Sequence, residues 1–134
     1  MRTFAAACVW LLTGMTAEAL DLQVQQSNSV PAGSPVLIHQ GTFTTNGNLL
    51  SDACVAREQK AEVKFDPAFA STPTVTVALT GLDVDHTRNT RVTMRAEGVS
   101  KDSMILIVGT WCETNLYSAV GSFIAVGVAA QSLR

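Results

Sequence analysis

Hydrophobic and polar positions alternate with a period of two along much of this chain. Residues 60–65 place Ala61, Val63 and Phe65 on one face and Lys60, Glu62 and Lys64 on the other. Residues 73–79 alternate again, with β-branched residues on both faces. From 91 to 99, Val92, Met94 and Ala96 oppose Arg91, Thr93 and Arg95. That spacing predicts half-buried strands. Residues 36–45 predict an earlier strand that ends at the turn signal Asn46-Gly47. Residues 103–111 form a continuous apolar run and predict a strand. Residues 117–128 are apolar, too short to span a bilayer and interrupted by Gly121 and Gly127, which predicts a last, buried strand. Residues 20–35 read as a linker-like lead in which Leu20, Leu22 and Val24 alternate as a short strand. Residues 48–59 read as irregular, and 81–89 as a polar connection. No stretch carries a sustained 3.6-residue stripe, so parallel βαβ folds are excluded. The pattern predicts an all-β antiparallel sandwich or small barrel.

The N-terminus changes which residues enter that fold. Arg2 precedes an apolar stretch over residues 3–15, and Ala17-Glu18-Ala19 is an A-x-A cleavage signature. The stretch is too short for a transmembrane helix and reads as a signal peptide, residues 1–19, cut after Ala19. The expected destination is the periplasm or the exterior. Cleavage removes Cys8 and Trp10, which leaves Cys54, Cys112 and Trp111. An even cysteine count in an exported chain favours a disulfide over two buried free thiols.

With 134 residues, 47% of them hydrophobic and 15% charged, the chain is one domain with a real core, not a disordered segment. Its net charge of −2 and singly scattered Lys and Arg argue against a nucleic-acid binder or a membrane-surface protein. No Gly-x-Ser-x-Gly elbow is present. His39 and His86 stand alone in sequence and read as ordinary polar residues of a strand or loop. Asp83, Asp85, His86 and Asn89 form an oxygen-rich stretch, yet it lacks the Gly and distant Glu of a calcium loop and reads as a solvated turn. No metal, cofactor or enzymatic activity is expected. Trp111 and Tyr117 suit sugar recognition, since an aromatic face stacks on pyranose C–H groups while a fixed guanidinium bonds hydroxyls.

The order of Phe65, Phe69, Pro73, Leu82-Asp83, Asn89-x-Arg91-Val92, Val99-Ser100, Thr110-Trp111 and Leu116-Tyr117 resembles the H-type lectin domain. This is the module of snail agglutinins and discoidin C-terminal domains. His39-Gln40-Gly41 is similar to the family's opening strand, so the resemblance covers roughly residues 36–128. It implies a six-stranded antiparallel β-sandwich over 36–134 that assembles as a homotrimer. Such a domain binds galactose or N-acetylgalactosamine-type glycans where subunits meet and is not an enzyme. Carried over by position, the family's sugar-binding Arg falls on Arg91 and its aromatic residues on Trp111 and Tyr117.

Two family ligands are absent. The family's sugar-contacting Asp falls on Cys54 and the His after its Trp on Cys112. The usual family disulfide has Val108 at its second position. Positions that touch one sugar in relatives are close in space, so the resemblance implies a Cys54–Cys112 bridge. The tight geometry of disulfides favours an intrachain bond over a covalent ring of subunits. Asp52 or Glu113 then stands in for the missing carboxylate, and Asp52 joins Arg91, Trp111 and Tyr117 as a candidate sugar-binding residue. The alternative is an adhesion or structural scaffold in which the disulfide replaces the pocket.

Overall fold

The computed structural model describes residues 22–29 and 35–130; the signal-peptide reading falls outside them. Among the described residues there are seven strands and no helix: β1 (Gln23–Ser29), β2 (Val36–Thr44), β3 (Ala56–Lys64), β4 (Thr74–Val84), β5 (Val92–Glu97), β6 (Ser103–Trp111) and β7 (Leu116–Val128). They form two antiparallel sheets, ordered β1-β2-β7-β4 and β3-β6-β5. The all-β antiparallel architecture is the one the alternation predicts.

The seventh strand is β1, which lies in the stretch read as a lead. It pairs with β2 from Gln23↔Thr44 to Ser29↔Ile38. Its sequence QVQQSNS is almost wholly exposed, as an edge strand tolerates. The other boundary differences also follow from period. β3 begins at Ala56, four residues before the alternation is obvious, because Arg57 and Gln59 occupy its inward positions. β4 continues to Val84 through register shifts at Leu79/Gly81 and Asp83/Val84, which bend the strand and hide the alternation.

The core lies between the sheets. β7 contributes Ala119, Phe123 and Ala125, β6 contributes Met104, Leu106 and Val108, and Leu37, Phe43, Val63, Phe65 and Phe69 close it. Large and small side chains interlock across β2 and β7. Phe43 stands opposite Gly121, and Phe123 stands opposite Gly41. A methyl group at Gly121 would collide with the Phe43 ring and approach Met94 Sδ to 2.9 Å; one at Gly41 would approach Phe123 Cε1 to 2.7 Å.

Two readings are corrected here. β7 is not buried on both faces: Val120, Ile124, Val126 and Val128 are exposed, since among the described residues no second layer covers the outer side of the four-stranded sheet. His39, read as an ordinary polar residue of a strand or loop, does lie in a strand, β2, but its side chain is buried in the core. Its Nε2 donates to the Pro67 carbonyl at 2.8 Å, and its ring lies 5.2 Å from both Phe65 and Phe69. The apolar β6 is explained by Ile107, buried on the outer side between Lys60 and Arg95, whose long stems flank it in register.

Candidate functional site

At one end of the sandwich three connections converge, over residues 45–55, 85–91 and 112–115. Strand pairing dictates this. β3 starts opposite the end of β6 (Ala56↔Trp111), β5 starts there too (Val92↔Thr110), and β4 ends opposite the start of β7 (Val84↔Leu116). The connections are stitched together by backbone groups that lie outside the ladders. Leu49 and Leu116 exchange hydrogen bonds at 2.8 and 3.2 Å, Asp85 N donates to Asn115 O at 3.0 Å, and Cys112 N donates to Val55 O at 3.2 Å. Ser51 N donates to the Asn115 Oδ1 at 3.2 Å.

The disulfide between Cys54 and Cys112 joins the first and third connections. Cys112 has φ 53°, a left-handed conformation that costs a non-glycine residue about 1–2 kcal/mol. The turn is held from the interior by Arg57. Its Nη2 donates to the carbonyls of Cys112 at 3.0 Å and Thr114 at 2.7 Å, while its Nε and Nη1 are buried without partners.

Arg91 is fixed at the backbone by two threonines. Its N–H donates to Thr114 Oγ1 at 3.1 Å, and its carbonyl accepts from Thr110 Oγ1 at 2.7 Å. Thr114 Oγ1 also donates to Asn89 O at 2.7 Å. Both threonines are buried, so these bonds are shielded from water. Arg91 stands one step beyond Val92↔Thr110, which places it across from Trp111, and Trp111 is 40% exposed.

The Arg91 guanidinium meets Glu113. Nη1 lies 2.9 Å from Oε1 as an ion pair, off the direction of a good hydrogen bond. Asn89 Nδ2 donates to the same oxygen at 2.6 Å. The Asn89 bond, the backbone N–H of Glu113 and then Arg91 together lower the Glu113 pKa from 4.5 to about 2. The pairing is therefore complete above 4.5 and lost only as pH falls through about 2. A carbon-detected NMR titration should find the Glu113 carboxylate ionised and the Arg91 contact unchanged from pH 8 down to about 4.

The remaining candidates distribute differently. Asp52 pairs with Arg88 at 2.8 Å, not with Arg91. Arg88 also approaches Asp85 at 3.6 Å, and Asp85 accepts from Thr87 N at 2.9 Å and Thr87 Oγ1 at 2.6 Å. These Thr87 bonds, foremost among its partners, lower the Asp85 pKa. Tyr117 is exposed at the start of β7, on the other sheet from Trp111. The structure thus brings Arg91, Trp111 and the disulfide together, with Glu113 as the carboxylate beside Arg91. Arg57 and Thr114 carry the geometry yet escape a sequence reading, as does the bond from Thr110, itself a mark of the resemblance, to the Arg91 carbonyl. The one available signal was the inward parity of Arg57 with Gln59, Ala61 and Val63.

Among the described residues no three His, Cys, Asp or Glu side chains are placed to share a metal ion. A hollow of about 500 Å³ lies elsewhere, on the outer side of the four-stranded sheet among Gln25, Ser27, Gln40, Thr42, Ser122 and Ile124. It holds no charged group, so the loop end is the stronger candidate: an exposed indole, a fixed guanidinium and a carboxylate converge there on an open surface.

Comparison with known proteins bears on this geometry. Residues 60–126 match the H-type lectin domain. A protein of Fuscovulum blasticum called ATP synthase subunits region ORF 7 is 30% identical over 101 residues, covering 71% of this chain and 87% of that protein. Recombinant discoidin II of Dictyostelium discoideum superposes with a TM-score of 0.62 at 20% identity, over 76% of this chain. Wild-type discoidin II gives 0.57 at 18% over 83%. This chain spans about two fifths of the discoidin II chains, 41% and 39%. The matched segment runs from β3 through most of β7 and includes Arg91, Trp111 and the connection between them. With that match over half its length, the chain belongs to the H-type lectin domain family.

Proposed function

We propose that this protein is an exported carbohydrate-binding module that takes galactose or N-acetylgalactosamine-type glycans at the loop end of the sandwich. Residues 1–19 are its signal peptide, and the domain takes in β1 from the lead over 20–35 together with 36–134. The observation that carries the reading is Arg91, whose backbone is locked by Thr110 and Thr114 beside the exposed Trp111. The threonines fix the main chain at Arg91 and Glu113 orients its guanidinium, so the side chain loses less freedom when it bonds sugar hydroxyls, and the indole offers a stacking face. Tyr117 adds a second exposed aromatic surface. The role is binding, not catalysis.

A homotrimer with sites where subunits meet suits this module. The exposed row Val120, Ile124, Val126 and Val128 supplies an apolar surface for assembly. Three weak sites on one particle gain by multivalency.

A second reading has its own observation. The disulfide joins Cys54 and Cys112, the two positions where the sequence resemblance leads one to expect polar sugar ligands, which suits a scaffold that kept the fold and gave up the pocket. A glycan array probed with the mature, oxidised protein separates the readings. Binding to galactose-type glycans that falls at least about tenfold in Arg91→Ala supports the lectin. Silence of the wild type on every glycan, with the fold intact by circular dichroism, supports the scaffold.

A further inference from the structure

The carboxylate beside Arg91 is not the one that sequence position favours. Asp52 is the acidic neighbour of Cys54, but it is committed to Arg88. Glu113 reaches the site from the opposite direction, out of the turn between β6 and β7. It is held there by Asn89 and by the Arg57 clamp on the two carbonyls that flank it, those of Cys112 and Thr114. The result is a guanidinium whose charge is already balanced. Of the three arginines at this end, Arg91 faces Glu113, Arg88 faces Asp52 and Asp85, and Arg57 is buried against the carbonyls of Cys112 and Thr114. An incoming anion finds no uncompensated positive charge at Arg91 and meets the Glu113 oxygens at close range. A neutral polyol finds both a donor and an acceptor.

We propose that Glu113 is the charge-selecting residue of the site: paired with Arg91 and Asn89, it admits neutral hydroxyl-bearing sugars and rejects sugars that carry a carboxylate or sulfate. This rests on the lectin reading. The Glu113 side chain is 39% exposed and meets both Arg91 and Asn89 through Oε1, so the carboxylate is placed to accept from a vicinal hydroxyl. Removing the charge while keeping the shape would leave Arg91 as an unpaired guanidinium next to an indole, a site suited to carboxylates.

The experiment titrates the mature, oxidised protein with lactose and with 3′-sialyllactose. Glu113→Gln and Glu113→Ala are measured in parallel, with Glu62→Gln, an exposed carboxylate on β3, as the control. The expected result is that the wild type binds lactose in preference to sialyllactose. Both Glu113 variants should raise the sialyllactose-to-lactose ratio by about tenfold or more, with Glu62→Gln unmoved. A merely structural role for Glu113 would lower the melting temperature and weaken both ligands together, leaving the ratio where it was. An unmoved ratio in a wild type that binds lactose overturns the assignment and leaves the lectin standing. A wild type that prefers sialyllactose overturns it as well. A protein that binds neither sugar in any form removes the lectin reading and this assignment with it.

Discussion

Replacing Cys54 and Cys112 together by serine should lower the free energy of unfolding by about 4 kcal/mol. The bond closes a loop of 58 sequence steps, and in the chain-entropy model the unfolded chain regains that much freedom when the loop opens. For a domain of this size the loss corresponds to roughly 15 °C in melting temperature. Guanidinium melts of the oxidised protein and the double variant measure it, and a non-reducing gel should show the oxidised protein as a monomer band. A difference under about 1 kcal/mol would mean that the native contacts of the three connections already constrain the unfolded ensemble. Those contacts survive the substitution: Cys112 N still reaches Val55 O, and Arg57 still bonds the carbonyls at 112 and 114. Local order at the loop end should therefore persist in the reduced form while global stability falls.

Phe123→Ala should cost about 3–5 kcal/mol, toward the upper end of that range. Phe123 is 1% exposed and sits over Gly41. The cost of deleting a core ring depends on how far the surroundings can collapse into the space. Here the facing position has no side chain to move, and the backbone at Gly41 is fixed by β1 on one side and β7 on the other. The cavity should persist. Chemical denaturation should show an unchanged slope with a shifted midpoint, since the same surface is exposed on unfolding. A loss below about 2 kcal/mol would show that β1 and β2 move inward to fill the gap.

The parts of the fold legible in the sequence are those where one face is apolar and the other charged. β5 is the clearest case: Val92, Met94 and Ala96 pack against the core while Arg95 is drawn outward, 2.6 Å from both Glu58 and Glu97. The extent of β1, beyond the short strand that Leu20, Leu22 and Val24 announce, and the start of β3 were hidden because their inward or paired positions are polar. Arg57 and Gln59 point inward because backbone partners await them: the carbonyls of 112 and 114 for Arg57, and the main chain of Asn46 for Gln59, whose Oε1 accepts from Asn46 N at 2.8 Å. Those partners lie far away in sequence, so no local pattern announces them. In the site, Arg91 and Trp111 were legible through the order of marks around them. The bonds of Thr110 and Thr114 were not, since a threonine looks the same whether its hydroxyl meets water or pins a backbone 19 to 25 residues away.

The two crossed pairs of β2 and β7, Phe43 with Gly121 and Gly41 with Phe123, have a consequence for how this sequence can change. Each ring is accepted only because its partner has no side chain, and the two pairs run in opposite senses. A slip of the strands by two residues would set Phe43 against Phe123 in one direction and Gly41 against Gly121 in the other, so the pairs act as a key for alignment. The same key binds the positions in descent. A side chain can arrive at 121 only after Phe43 has shrunk, whereas at 41 it would meet the backbone carbonyl of Gln25 in β1 as well as the Phe123 ring, so no change at 123 alone admits it. Substitutions at 43 and 121 are expected to come as a compensating two while 41 stays glycine, a signature that would be found by comparing many sequences of this kind without measuring any one of them.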